Sequence, residues 1–358
     1  MNILHISPEW NWSRIFVLPI IIKQAEINKV WLSTPNCDDS SDDLYTNIKF
    51  VSWNKKYNKF LKYLLSVFFI ISKIREKKIE YVYAHTTVDS TLYILGVRLF
   101  TSAKITYINH GVPYIGYNGF LKTVFKFIEI ININFSNEVI TITKSMKEYL
   151  TPLNKTAKEI KFFSPGTLVG VKMTYNSFSE VMHAREKAKS LSNNIIRIIY
   201  VGRLEERKGI YELIKAINST TLDCELSILG GTADQVNIEF NQSKVKFLGF
   251  QSDLSSYYLQ ADLLCVPSHH EGFGQVYLEA SSYGVIPICC NIPGPTDFIQ
   301  HGFNGFVVEP KSPESILNLF DKIKKRKFDL EALRNNAFNS SLKYERSLVI
   351  DNNMEFFK

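Results

Sequence analysis

The stretch IIRIIYVGRLEERKGIYELIKAI, residues 195–217, decides the fold. Its first seven residues are dense in β-branched side chains, as a strand buried on both faces requires. Gly202 then permits a tight turn, and a helix is expected over residues 209–217. Strand, glycine turn and helix open a doubly wound α/β unit. Toward the C-terminus the alternation continues, with strands expected at 225–229, 245–248, 263–266, 285–290 and 305–308, enough for a complete unit. Toward the N-terminus the same alternation predicts strands at 2–6, 30–33, 81–84, 105–108 and 139–143. Between them Tyr57, Phe60, Leu61, Leu64, Leu65 and Phe68 fall at helical spacing, as do Leu121, Val124, Phe125 and Ile128. Residues 166–194 are polar with little periodicity and read as a linker. The expected architecture is α/β, with two doubly wound parallel-sheet domains facing a central cleft: 1–165, then the linker, then 195–340, with 341–358 packing back on the first domain. A chain of 358 residues suits two domains of about 150 each.

Composition excludes several classes. With 45% hydrophobic residues the chain is not a disordered one. The longest nearly uninterrupted apolar stretches, 15–22 and 63–71, fall well short of the ~20 residues a membrane-spanning helix needs. The opening MNILHISPEW carries Glu9 and no basic leader or small-residue cleavage site, so no secretory signal is expected and the protein is placed in the cytoplasm. Five cysteines (Cys37, Cys224, Cys265, Cys289, Cys290) without a C-x-x-C pair are expected to be reduced and mostly buried, forming neither a disulfide framework nor a zinc site. The acidic DDSSDD at 38–43 reads as a solvated loop. The net charge of +7 is uneven. Residues 1–178 hold 22 Lys and Arg against 13 Asp and Glu, a net +9, and residues 179–358 hold 20 against 22, a net −2. A basic first half answers to anionic lipid, to a phosphorylated substrate or to nucleic acid, and sign alone does not separate them.

Two constellations carry chemistry. In VGRLEERKG, residues 201–209, Arg203 and Lys208 emerge near the carboxyl end of a strand, where open α/β sheets bind ligands. A planar guanidinium and a compact ammonium together suit a diphosphate, although a solvated charged loop reads the same way. In SHHEGFGQVYLEASSYG, residues 268–284, Gly272 and Gly274 make a flexible turn, and the helix expected from Gln275 points its free amides at the same ligand. Glu271 and Glu279 are eight positions apart, ~12 Å on a continuous helix, too far for the paired carboxylates of a retaining glycoside hydrolase. They must do different work, and at that spacing they could hold the two ends of a sugar nucleotide. The bland alternative makes Glu271 a helix-end charge and Glu279 a surface residue.

Strand, GRL-x-x-x-KG and helix, followed some seventy residues on by HEGFG-x-V-x-LEA and PGPTDFIQHGFNGFVV (293–308), resembles the second half of the family 4 retaining glycosyltransferases of GT-B fold. The first half is similar to members that build capsule, O-antigen or other polysaccharide on a lipid carrier, through FVLP (16–19), AHTT (84–87), INHGVPYIGYNG (108–119) and TITKSM (141–146). The resemblance implies that Arg203 and Lys208 bind the donor diphosphate with Gly272, Phe273 and Gly274 beside it. It implies that Glu271 meets the donor sugar, Glu279 the ribose, and His110 the sugar from the first domain. His85 matches a position near the acceptor side; capping its loop is the alternative. One departure stands out. Many members carry a glycine-rich loop after the first strand, and here SPEWNWSR, residues 7–14, has no glycine, so Glu9 and Trp10 either touch a ligand or pack the loop.

The resemblance further implies a nucleotide-sugar donor, UDP in first place, a lipid-linked glycan acceptor, and a peripheral position on the inner face of the cytoplasmic membrane. No metal or other cofactor is expected, since the chain has no D-x-D and cations take the phosphate charge. No nucleic-acid motif occurs. Two basic aromatic segments, 55–78 and 118–135, fit either a sheet-covering or an interfacial helix; packing is favoured for the first, and both readings stay open for the second. A sugar-nucleotide epimerase or phosphorylase of the same shape, or a basic membrane-surface or nucleic-acid binding protein without catalysis, are the alternatives.

Overall fold

A computed structural model describes residues 1–35, 48–51, 59–188 and 195–358, with side chains for all of these except 59–62. The chain divides into two compact units, Met1–Gly170 with Ser347–Lys358, and Val171–Arg346.

In the first unit β1 (Asn2–Ile6) leads through α1 (Trp10–Phe16) and α2 (Leu18–Ala25) to β2 (Lys29–Ser33) and β3 (Ile48–Val51). Then come α3 (Lys59–Glu76), β4 (Tyr81–His85), α4 (Thr91–Phe100), β5 (Lys104–Asn109), α5 (Gly119–Phe135), β6 (Glu138–Thr141), α6 (Lys144–Leu150) and β7 (Ile160–Phe162). Among the described residues the strands form one parallel sheet in the order β3-β2-β1-β4-β5-β6-β7, with Ile3 of β1 opposite Val30 of β2 and Tyr81 of β4. Ile3, Leu4, Val82, Ala84, Ile105 and Ile108 are almost wholly buried, as central parallel strands covered on both faces must be. The chain reaches this unit again at its far end, where the Phe357 ring packs, tilted, on Tyr83 at 5.0 Å and Asn353 donates to the carbonyls of Thr167 and Leu168.

The helices of this unit depart from the spacing read in the sequence. In α3 the buried stripe is Val67, Ile70, Ile71 and Ile74, while Leu65 and Phe68 are 44% and 64% exposed. Tyr57 lies outside the described residues, as do the side chains of Phe60 and Leu61. A lysine-free apolar run offers more than one stripe at a 3.6 period, and tertiary packing selects among them. In α5 Val124, Phe125 and Ile128 of the expected stripe are half-buried, and the deepest positions lie beside them. Glu129, Asn132 and Ile133 are buried, whereas Phe120, Leu121 and Phe127 are 81%, 51% and 61% exposed.

The second unit holds α7 (Phe178–Ala188), β8 (Ile196–Val201), α8 (Ile210–Ser219), β9 (Cys224–Leu229), β10 (Val245–Phe247), α9 (Ser255–Gln260), β11 (Leu263–Cys265), α10 (Gln275–Ser282), β12 (Ile286–Cys290), α11 (Pro295–Phe298), β13 (Phe306–Val308), α12 (Pro313–Lys324) and α13 (Leu330–Leu342). A last helix, α14 (Arg346–Asn353), crosses the unit boundary. The sheet is parallel in the order β10-β9-β8-β11-β12-β13, the doubly wound order in which β8 and β11 flank the topological switch point. The polar stretch 166–194, read as a linker, contains a helix. Residues 178–188 form α7, whose Arg185 is buried and donates to the carbonyls of Tyr258 and Tyr283 at 3.0 and 3.2 Å and pairs with Asp262. Its polar composition hid it, because only Val181 and Arg185 turn inward. Residues 189–194 lie outside the described residues, as does the acidic stretch 38–43.

The four described cysteines are buried and unpaired; Cys37 is outside the described residues. No described helix is long and apolar enough to cross a membrane.

Candidate functional site

The two motifs of the second unit meet at its switch point. Gly209, at φ 72, ends the loop after β8, and a Cβ there would lie 2.1 Å from the carbonyl oxygen of Pro267. Only glycine lets the loops after β8 and β11 come this close. The contact is reinforced by the His269 amide, which donates to the Arg207 carbonyl at 2.8 Å, and by the His269 ring, whose Nε2 lies 3.0 Å from Glu212 on α8. So joined, the loops place the Lys208 ammonium against the Glu271 carboxylate in an ion pair, and Ser268 donates to the same carboxylate at 2.9 Å. Burial by itself would raise the Glu271 carboxyl, but Lys208 and the Ser268 hydroxyl outweigh it and hold the carboxyl below its ordinary range. The site therefore presents a fixed negative charge and a fixed positive one side by side, both shielded from bulk water.

Arg203 behaves differently. Its side chain is 70% exposed and pairs with Glu205 at 2.7 Å. Its carbonyl is held by the Tyr200 hydroxyl at 2.8 Å. Glu205 is bracketed by Arg203 and Arg207.

Gly272 and Gly274 flank Phe273 in the turn before α10. Gly274 is left-handed at φ 80, and a Cβ there would lie 2.4 Å from the Tyr277 ring, so the turn into α10 requires glycine. Phe273 is buried against Tyr344 and Phe298, at 5.3 and 6.0 Å between ring centres, which leaves only its main chain to a ligand. Glu279 sits within α10, and the Tyr258 hydroxyl donates to it at 3.4 Å. Burial pushes its carboxyl up to about 7. The two glutamates thus occupy electrostatically distinct places, one ionised by a lysine and one poised to titrate near neutrality.

In the first unit the site residues form a chain. His5 on β1, His85 at the end of β4 and His110 after β5 are linked by hydrogen bonds between ring nitrogens: His5 Nδ1 to His85 Nε2 at 3.0 Å, and His85 Nδ1 to His110 Nε2 at 3.0 Å. Both nitrogens of His85 are used internally, so its ring has none left for an acceptor substrate. Nor does it cap its loop, a task met by the Ser90 hydroxyl, which donates to the His85 carbonyl at 2.8 Å. Trp12 of α1 stands edge-on to the His110 ring at 4.7 Å. The glycine-free stretch after β1 is therefore largely helical; Trp10 packs edge-on against Phe50 at 5.5 Å. Beneath the His110–Gly111 turn, Asn109 accepts from the Gly111 amide at 3.2 Å and donates to the buried Glu129 of α5 at 3.0 Å. Thr87 and Tyr107 also donate to Glu129, whose carboxyl burial raises to about 7. Among the described residues no cluster of three or more His, Cys, Asp or Glu is placed to hold a metal ion.

Motif reading alone overlooked His5, Gln24, Trp12 and Ser268. The one available signal was His5 itself, a polar residue inside the apolar strand NILHI.

By its two parallel sheets the chain has the GT-B glycosyltransferase fold. Residues 183–340, most of the second unit, match the family of glycosyl transferases group 1. The chain is similar to the capsular polysaccharide biosynthesis glycosyltransferase CapM of Staphylococcus aureus, 29% identical over 57% of this chain and 57% of that one. It is also similar to the UDP-Gal:alpha-D-GlcNAc-diphosphoundecaprenol alpha-1,3-galactosyltransferase of Escherichia coli, 22% identical over 74% of this chain and 70% of that one. The chain thus spans little more than half the length of the staphylococcal relative. Among solved structures, Anabaena HepE in complex with UDP and glucose superimposes with a TM-score of 0.77 at 17% identity, covering 99% of each chain.

Proposed function

We propose that this protein is a retaining glycosyltransferase that moves a sugar from a nucleoside diphosphate donor, UDP in first place, to a hydroxyl of a lipid-linked precursor of cell-surface polysaccharide. The observation that carries the reading is the Lys208–Glu271 pair at the switch point of the second sheet. A cation for a diphosphate and a carboxylate for sugar hydroxyls are what the two halves of such a donor need. Arg203, Lys208 and the first amides of α10 take the diphosphate, with the backbone of Gly272, Phe273 and Gly274 alongside. Glu271 takes the sugar and Glu279 the ribose. The leaving phosphate accepts the acceptor's proton on the face it departs from, and the same cations stabilise the charge that builds on it, which requires no metal. His110 serves the sugar as positive charge develops there. The donor and acceptor named for the Escherichia coli relative, and the UDP and glucose bound by the Anabaena protein, support this choice of substrates.

A lipid-linked acceptor implies a peripheral place on the inner face of the cytoplasmic membrane. The exposed Phe120, Leu121 and Phe127 of α5, beside the exposed Lys122 and Lys126, suit an interfacial contact. Thermal unfolding of the full chain against a panel of sugar nucleotides tests the donor assignment. The cognate donor at 100 times its dissociation constant adds ~2.7 kcal/mol of stability. If no member of the panel raises the melting temperature, the donor site is wrong.

A further inference from the structure

The chain of histidines begins at an anchor with one possible orientation. Gln24 of α2 lies between His5 and the main-chain oxygen of Lys358, 2.8 Å from His5 Nε2 and 3.0 Å from that oxygen. A main-chain oxygen only accepts, so the amide nitrogen of Gln24 must face Lys358, and its oxygen must face His5. Asn28 donates to the same Lys358 oxygen at 2.9 Å. From there each step forces the next. Facing a carbonyl oxygen, His5 Nε2 carries the proton, and in the neutral ring Nδ1 is then bare. A bare His5 Nδ1 requires the proton on His85 Nε2, and a bare His85 Nδ1 requires the proton on His110 Nε2. The last ring is left with Nδ1 as an unprotonated acceptor.

We infer that Gln24, His5 and His85 are positioning residues that fix His110 in its Nε2-protonated form and present its Nδ1 lone pair to a hydroxyl of the transferred sugar. The part played by the sugar rests on the glycosyltransferase reading above; the tautomer does not.

Three features support the assignment. All three rings are kept neutral at pH 7 by burial, which lowers His5 to about 4, His110 to about 3, and His85 well below its ordinary value. A neutral imidazole has one proton, so the alternation along the chain is compulsory. The ring planes are also held: His5 stacks on Tyr83 at 4.8 Å, and Trp12 braces His110. Finally, the inner end is closed. An amide oxygen does not take up a proton at neutral pH, so a proton reaching His110 has no exit through Gln24. The chain orients; it does not conduct.

The test is long-range proton–nitrogen correlation NMR of the full chain labelled with nitrogen-15 histidine, with His110 assigned by loss of its signals in His110→Asn. At pH 7 the expected result is a protonated Nε2 and a bare Nδ1 on His5, His85 and His110. Gln24→Leu removes the anchor, and His85→Leu removes the acceptor of the His110 proton. Each should leave His110 distributed over both tautomers and lower kcat about tenfold or more, with the donor KM within about twofold. A proton on His110 Nδ1 in the unaltered protein overturns the proposal, as does an unchanged His110 tautomer in both folded variants. The wild-type spectrum decides even if neither variant folds. The spectrum needs no donor, so absence of sugar-nucleotide binding with this tautomer pattern intact would count against the glycosyltransferase reading and not against the histidine chain.

Discussion

Lys208 and Glu271, 63 residues apart in sequence, form an ion pair where the loops after β8 and β11 meet. The pair couples the donor site to stability. Lys208→Ala leaves a shielded carboxylate without its cation, whereas a ligand diphosphate loses a charge-assisted contact worth roughly 1.5–3 kcal/mol. Calorimetric titration with UDP should show an affinity at least about tenfold weaker in Lys208→Ala. The same variant should melt lower at pH 7. The double variant Lys208→Met, Glu271→Gln should recover the melting temperature without recovering UDP affinity, because it removes both charges at once. Recovery of UDP affinity in the double variant would separate the pair from the donor site, and a melting temperature that stays low would remove its link to stability.

How much of this was legible in the sequence follows from what each feature depends on. Buried parallel strands such as β8 and β12 announce themselves as dense apolar runs, and the glycines at 209 and 274 mark turns that nothing else could occupy. The short edge strands β3 and β7, IKFV and IKF, are three or four residues long and half-exposed, too short for an apolar run to mark them. Helix α7 was missed because its inward face holds an arginine satisfied by main-chain carbonyls brought from 73 and 98 residues away. The histidine chain is a tertiary object. His85 and His110 lie in motifs, but His5 and Gln24 become partners only when β1, β4 and α2 are packed together.

The two glutamates of the donor site should fail differently. Glu279→Gln should raise the donor KM with little change in kcat, and Glu271→Gln should lower kcat more than it raises KM. Burial holds the Glu279 carboxyl up at about 7. A ribose hydroxyl donates to the ionised form, so donor affinity should weaken as pH falls through 7 and level off above it. Titration calorimetry between pH 5.5 and 8.5 should show that slope in the parent chain and its loss in Glu279→Gln. A slope that persists in the variant assigns the titration to another group.

Exposure of Phe120 and Phe127 on a helix whose buried face holds Glu129 and Asn132 predicts a membrane-facing surface. Binding to vesicles should increase with anionic lipid and decrease with salt. Each lysine near the surface adds ~1 kcal/mol, so Lys122→Glu with Lys126→Glu should weaken binding at least about thirtyfold. Flotation with anionic vesicles measures this, and equal flotation of parent and double variant would turn the aromatic face over to some other contact.

Sugar transfer with retention is the reaction proposed for this chain. Its most direct test is incubation of the full chain with a panel of UDP-sugars and a diphosphate-linked polyprenyl glycan acceptor, followed by NMR of the new linkage in the isolated product. The expected product is a glycosylated lipid whose new anomeric centre has the configuration of the donor, with product formation greatly reduced in Lys208→Ala and Glu271→Gln. An inverted anomeric centre, or release of free sugar or an epimerised sugar nucleotide in place of a glycosylated acceptor, would contradict it.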